Sequence, residues 1–565
     1  MKRKNSSKNN WLKRVETFNL KSWLKDNWLI LIFLILPTLT IYATSLNNDF
    51  VSDDLYAIVN HPDLDQPQYF TSSFPIVWQP LFYFLINKFF GLQPMFFRSL
   101  NITLHLGNVL LSYFLISLLI NSRTAAIASI LLAIHPIAVE SVAWISGGGY
   151  PQYTFFLLLA LIAYLFSSQK KAKGKPYYLL SLLTFLMALT TSEKAAVLPI
   201  ILLFFQLGFG KISKAYKKLI PYFSLSALWV MIYAIRIPER VKDLVGPGGS
   251  GYKLFNPLKQ IPIAIFDYLR LIIYPQGLTH YHTELLHTYP EMVIRGAVIL
   301  LLLIVIVWGF FKNRHLFFWL SFFFISLLPT LTPLGVSWVV AERYVYLGAI
   351  GIFVLIAIFL DKLMKQKRVR PWLNIFLALG VVALSITTVL RISDWKTQDS
   401  LVLSAAKTSP SSAQNHNNLG KIYKERDQVQ KAIAEFKIAI TLQPGFSHAY
   451  HNLGTVYQEL NQIDLAIENF KAAVTYNPDL WQTHQNLAIS YHQAGKVDLA
   501  EIHFKESVSL KPQNPDLHFN LAIFYSKTNR SKKAREELKT TLELKPDYLE
   551  AQRLLESLER QSQGG

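Results

Sequence analysis

The chain has 565 residues, of which 52% are hydrophobic and 16% charged, and it carries a formal net charge of +20. Soluble proteins average about 25% charged residues, so this composition excludes an ordinary soluble enzyme. There is no cysteine, which rules out disulfides, thiolate metal sites and a cysteine nucleophile.

The charge is unevenly spread. Residues 394–565 hold 20 Lys+Arg against 20 Asp+Glu, so the whole excess lies in residues 1–393. There the basic residues fall in short gaps between apolar runs, as the positive-inside rule requires. That pattern explains the charge without a nucleic-acid partner.

Residues 1–27 form a basic tail. The first apolar run, Trp28–Leu46, is long enough to span, and no small-residue cleavage site follows it, so it reads as a retained signal anchor. About eleven spans are expected: 28–46, 102–120, 124–144, 151–168, 177–191, 195–209, 219–237, 293–311, 315–334, 344–361 and 371–390. The fifth and sixth are short and form a hairpin through Thr190–Lys194. Basic gaps at Lys2–Lys25, Arg123, Lys170–Lys175, Lys211–Lys218, Lys312–Arg314 and Lys362–Arg370 all become cytoplasmic together if the N-terminus is inside. The segment Ile261–Pro275 carries Asp267 and Arg270 and is expected to be interfacial or re-entrant. This parity assigns loops 47–95 and 238–292, and everything after the last span, to the outer face.

Residues 394–565 repeat every 34 positions. Pro410, Pro444, Pro478, Pro512 and Pro546 share one column; Leu419, Leu453, Leu487 and Leu521 share another. Tyr423, Tyr457, Tyr491 and Tyr525 follow in register, then Ala432, Ala466, Ala500 and Ala534. This is the tetratricopeptide pattern of paired antiparallel helices. It predicts a solenoid of about four and a half repeats starting near Asp394, with a capping helix over Glu550–Gln561. The fold class is therefore all-α: a polytopic membrane domain over 28–393, then an α-solenoid.

Asn418, Asn452, Asn486 and Asn520 recur once per repeat. An amide offers both a donor and an acceptor, which suits an extended acceptor peptide on a concave solenoid face. The column resembles the asparagine ladder of a soluble O-linked sugar transferase. Asparagine at this consensus position also has a purely structural reading.

Ionisable residues beside apolar spans are functional candidates. They are Asp53 and Asp54 after the first span, Arg98 at the second, His135 and Glu140 in the third, Glu193 and Lys194 at the hairpin tip, and Glu342 and Arg343 opening the tenth. All fall in the outer half by the parity above. Adjacent carboxylates repel, so one of the two aspartates holds its proton more tightly, as a base requires. The pair equally fits a solvated turn with a helix cap.

Five stretches carry a resemblance: Asp49–Leu64, Leu131–Val142, Ser192–Lys194, Ala341–Leu347 and Arg391–Leu401. In this order, followed by the repeats, they resemble the transmembrane and tetratricopeptide-repeat-containing O-mannosyltransferases, and more broadly the GT-C glycosyltransferases. The resemblance implies inverting transfer of a sugar, such as mannose, from a polyprenyl-phosphate donor to a hydroxyl of an exported protein. It assigns the base to Asp53, with Asp54 second. The phosphate needs cations in a low-dielectric site, for which Arg98, His135, Lys194 and Arg343 are candidates; Glu140, Glu193 and Glu342 would orient them or the sugar. Where the family often has Arg-Pro-Leu, this chain has Gln79-Pro80-Leu81, so Arg98 is the candidate to supply that charge. Some GT-C enzymes use a divalent metal ion and others none, and the sequence holds no compact His/Asp cluster that chooses between them. The expected setting is a bacterial cytoplasmic membrane, with membrane lipid as a partner. Two other classes stay open: a non-catalytic anchored scaffold for envelope assembly, and a flippase or transporter of lipid-linked sugar.

Overall fold

A computed structural model describes residues 10–169, 171–245, 256–280, 282, 287–331 and 339–563. Outside these lie residues 1–9 of the basic tail, Lys170 of a basic gap, positions 246–255, 281 and 283–286 of the expected loop 238–292 and positions 332–334 of the expected ninth span. Among the described residues every regular element is helical. The chain divides into two compact units, residues 1–240 with 253–408 and residues 409–565 with 241–252.

The first unit is a multi-pass membrane body. Seven helices are long and apolar enough to cross a bilayer: Leu20–Ala43, Pro94–Leu119, Ser146–Phe166, Ala215–Ile235, Tyr289–Lys312, Glu342–Met364 and Arg370–Asp394. An eighth crossing results if Ser122–Ile134 and Pro136–Ala143, bent by 55°, count as one span. The bend has a local cause. Pro136 has no N–H to continue the helix, and His135 leaves it in an extended conformation while its ring accepts the Ile137 N–H. The remaining expected spans are helices too short by this test. Leu198–Phe209 has 12 residues, about 18 Å at 1.5 Å per residue, against a core of about 30 Å.

Exposure agrees with a lipid setting. Tyr289–Lys312 buries only Gly309 among its described side chains, and it exposes Leu300, Leu301, Trp308 and Phe311. An apolar surface of that extent is stable only against lipid or a partner. Helix Pro257–Ile273 behaves differently. It buries Ile263, Ile265, Tyr268, Leu271 and Ile272 on one face, and Asp267 pairs with Arg295 at 2.8 Å. It is not among the membrane-crossing candidates.

The second unit is the repeat solenoid. Helix pairs Ala413–Glu425 with Val429–Leu442, Ser447–Glu459 with Ile463–Tyr476, Trp481–Gln493 with Val497–Leu510, and Pro515–Lys527 with Ser531–Leu544 are closed by Leu549–Gln563. The helix Gln398–Thr408 groups with the membrane body. Between the helices of each pair the chain turns through Asp427, Asn461, Gly495 and Asn529, all at φ between 56° and 74°. This left-handed region is open mainly to Gly, Asn and Asp. The proline column also has a role. The carbonyls of Pro410, Pro478 and Pro512 bond the rings of His416, His484 and His518, and that of Pro546 bonds Gln552.

The helices of a pair approach closely at Gly454, where an added Cβ would lie 2.7 Å from the Phe470 ring. Overpacking of this kind typically costs about 1–3 kcal/mol. Gly454→Val is expected to lower protection of amides in 447–476 by that amount, measured by hydrogen exchange on the full chain.

Candidate functional site

The site begins where the first span ends. Arg98 is fully buried and aims its guanidinium at the following loop. It donates to the carbonyls of Asn48 (2.6 Å), Asp49 (2.8 Å) and Ala143 (2.7 Å). Arg98 therefore ties the acidic loop to the broken third span and faces main-chain oxygens. Gln79, at the position of the missing arginine, donates to Tyr83 and to the Ser146 carbonyl.

The two neighbouring aspartates have opposite environments. Asp54 is fully buried. It accepts the Ser146 N–H (2.8 Å), the Ser146 hydroxyl (2.5 Å) and the Val51 N–H (3.2 Å). Asp53 is exposed. Burial pushes the Asp54 carboxyl up from its usual 3.8 to about 6, against the lowering effect of those hydrogen bonds and of Arg98. The residue between Asp54's partners and Asp53 is Ser52, at φ 56°. Its N–H donates to Gln398 Oε1 (2.7 Å), and its hydroxyl meets His280 Nε2 (3.1 Å).

Behind this loop lies a buried charge network. Glu140 accepts the Arg343 N–H (2.7 Å) and bonds Arg343 Nη1 as well. The same carboxylate lies 3.3 Å from His280 Nδ1. Glu342 accepts from Arg391 (3.1 Å), and Arg391 also pairs with Asp394 (2.9 Å). His282 stands 3.6 Å from Glu342. Aromatic rings enclose the network. Trp144 stacks on Trp395 at 5.6 Å, His280 meets both edge-on, and the Arg343 guanidinium lies 5.3 Å above Trp144.

A second cation joins through tyrosines. Lys194 pairs with Glu193 (2.7 Å) and lies 5.4 Å over the Tyr150 ring. Tyr150 packs against Tyr344, which also lies beneath Arg343. Arg343 gives Nη1 and its main-chain N–H to Glu140, and its Nε and Nη2 make no hydrogen bond among the described residues. Arg343 and Lys194 thus face a shared tyrosine wall, each with donors to offer an anion.

Tetratricopeptide repeat family models match residues 413–446, 447–480 and 491–558. Over the longer stretch, Protein O-mannosyl-transferase F38B6.6 of Caenorhabditis elegans is 27% identical across 448 residues, covering 74% of this chain and 63% of that protein. Protein O-mannosyl-transferase TMTC1 of Homo sapiens is 25% identical across 501 residues, covering 72% and 54%. The chain is similar to the protein O-mannosyl-transferases. It spans between half and two thirds of the length of these two relatives. Among solved structures, the crystal structure of MamA aligns with 26% of this chain and 88% of its own, at 21% identity and a TM-score of 0.25.

Of the expected site residues, Asp54, Glu140, Glu342 and Arg343 belong to the buried network or its loop, and Glu193 and Lys194 join through Tyr150. Asp53 stands at the exposed edge of the same loop. His135 is turned elsewhere, bonding the Ile137 N–H and the Ile272 carbonyl. Asn418, Asn452, Asn486 and Asn520 are all half-buried on the repeats; Asn452 donates to Asn417 (2.8 Å), and Asn418 accepts from Gln414 (3.0 Å). No group of three or more His, Cys, Asp or Glu side chains is arranged to hold a metal ion among the described residues. Sequence reasoning missed His280, His282, Trp144, Trp395, Arg391, Ser146 and Gln398. Only Arg391, Trp395 and Gln398 had a signal, since they lie inside a stretch already singled out.

Two outcomes follow from this geometry. Removing one partner of a buried ion pair strands the other and costs about 3–5 kcal/mol. Glu140→Leu should therefore lower the thermal midpoint in detergent, and Glu140→Leu with Arg343→Met should recover most of the loss. The raised carboxyl of Asp54 sets a sign for pH. Between about 4 and 6 the folded state keeps a proton that the unfolded chain has released, so stability falls as pH rises through that window. The slope is at most about 1.4 kcal/mol per pH unit, and Asp54→Asn should flatten it in a series of thermal melts.

Proposed function

We propose that this chain is a membrane glycosyltransferase. It moves a sugar, mannose by the names of its relatives, from a polyprenyl-phosphate donor to a hydroxyl of a protein acceptor bound by the repeats. The observation that carries this reading is the division of labour in the acidic pair. Asp54 is buried and saturated with hydrogen bonds, while Asp53 beside it is exposed and fixed to the same loop.

The chemistry follows from these positions. Asp53 takes the proton of the acceptor hydroxyl as its oxygen attacks the anomeric carbon from the face opposite the phosphate. The new carbon–oxygen bond forms as the bond to the phosphate oxygen breaks, so the configuration inverts and polyprenyl phosphate leaves. Negative charge grows on that phosphate. The open donors of Arg343 and Lys194, over a largely buried tyrosine wall, meet it where electrostatic stabilisation is strong. Their own charges are already offset by Glu140 and Glu193, so hydrogen bonding and position matter more than net charge. Arg98 acts on this reading by holding the loop.

The setting we propose is a bacterial cytoplasmic membrane, with the basic N-terminus in the cytoplasm and both the acidic loop and the repeats outside. The ladder Asn418, Asn452, Asn486 and Asn520 supplies main-chain contacts to the acceptor. Loss of a general base lowers rate by about 10²–10⁴-fold. Asp53→Asn in purified full-length protein should show that loss in transfer of labelled sugar to protein, with membrane insertion intact. Undiminished transfer by Asp53→Asn would remove Asp53 from the mechanism.

A further inference from the structure

Two remote parts of the chain converge on one serine next to the proposed base. Ser52 lies after the first span, His280 follows the amphipathic helix Pro257–Ile273, and Gln398 follows the last span Arg370–Asp394. Ser52 adopts φ 56°, a conformation that L-residues other than Asn and Asp adopt rarely. Such a conformation persists only where the surroundings over-determine it. Here they do.

The hydrogen-bond directions are fixed by the partners. Gln398 Oε1 accepts the Ser52 N–H at 2.7 Å. Glu140, held by Arg343, can only accept when ionised, so it takes the His280 Nδ1–H at 3.3 Å. In the neutral imidazole, His280 Nε2 then accepts from the Ser52 hydroxyl at 3.1 Å. Trp144 and Trp395 hold the imidazole edge-on, with centroids 5.3 and 5.1 Å away. Two further bonds stitch the same loop to the same distant segment: the Asp49 N–H to the Lys396 carbonyl (2.8 Å) and Asn48 Nδ2 to the Ile392 carbonyl (3.2 Å).

We propose that Ser52, His280 and Gln398 are positioning residues for Asp53, and that the segment 391–398 is thereby part of the catalytic site. The proposal rests on the reading of Asp53 as the base. The left-handed turn at Ser52 sends Asp54 inward to Ser146 and leaves Asp53 outward. His280 links the turn to the carboxylate that holds Arg343, so base and phosphate donor keep one mutual geometry. Without the clamp the turn relaxes, and Asp53 no longer stands where the acceptor hydroxyl arrives. Misplacement by about 1 Å is enough to cost about 10²-fold in rate.

The test is steady-state transfer by the full-length protein, with donor and acceptor varied separately. Ser52→Ala and His280→Phe, the latter keeping a ring against the two tryptophans, should each lower kcat by about 10–100-fold while donor KM stays within about twofold. Both variants remove the Ser52–His280 hydrogen bond, and His280→Phe also removes the bond to Glu140, so the double variant should fall no further than His280→Phe alone. Gln398→Leu should fall similarly, and Gln398→Glu, which keeps an acceptor oxygen, should restore most activity. Wild-type kcat in Ser52→Ala and His280→Phe, strictly multiplicative losses, or equal activity of Gln398→Leu and Gln398→Glu would each overturn the proposal. If any of these variants fails to fold, the Gln398 pair still decides, since leucine and glutamate are read against each other. Asp53→Asn separates the two readings: inactive Asp53→Asn with active clamp variants sinks only the clamp, whereas active Asp53→Asn sinks the base itself.

Discussion

Charge inside the membrane body has to be paired or hydrogen-bonded, and that constraint organises everything around it. Glu140 and Arg343 are both buried, as are Glu342 and Arg391. An isolated ion there would cost several kcal/mol. Each pair joins separate elements: Glu140 lies in the broken third span and Arg343 at the start of another, while Arg391 ends the last span. The pairs therefore fix three helix ends against one another. On the proposed reading, the same burial places donors for an anion.

The acidic loop shows the same economy at smaller scale. Arg98 holds three carbonyls at the loop's base, and Asp54 anchors it to Ser146. One carboxylate of the pair is consumed in shaping the turn, and its neighbour is left accessible. The raised carboxyl of Asp54 comes from its burial rather than from its neighbour. Two acidic residues in sequence are thus not two copies of one function.

Much of the fold was legible because it is periodic. Repeats every 34 residues and long apolar runs both announce themselves, and four repeat pairs with a closing helix and a multi-pass body are found. Span count was less legible, since a short apolar run such as 198–209 reads the same whether or not it crosses. At the site, the acidic pair and the Glu-Lys and Glu-Arg neighbours stood out as charges beside apolar segments. Which aspartate faces inward did not, because Ser146 is 92 positions away. His280 and Gln398 lie 228 and 346 positions from Ser52, and a lone histidine or glutamine in a loop has no local pattern to mark it. Arg98 looked like a phosphate ligand for the same reason: nothing in sequence shows that carbonyls already surround it.

The account turns on transfer of sugar from lipid to protein. The direct measurement is incubation of purified full-length wild-type protein with polyprenyl phosphate bearing a radiolabelled mannose and an exported-protein acceptor fraction, followed by separation of lipid and protein. Label appearing on serine or threonine of the protein, with inverted anomeric configuration and one polyprenyl phosphate released per sugar, is the expected result. Label that stays in the lipid fraction, or crosses a vesicle bilayer still attached to its lipid, would contradict it.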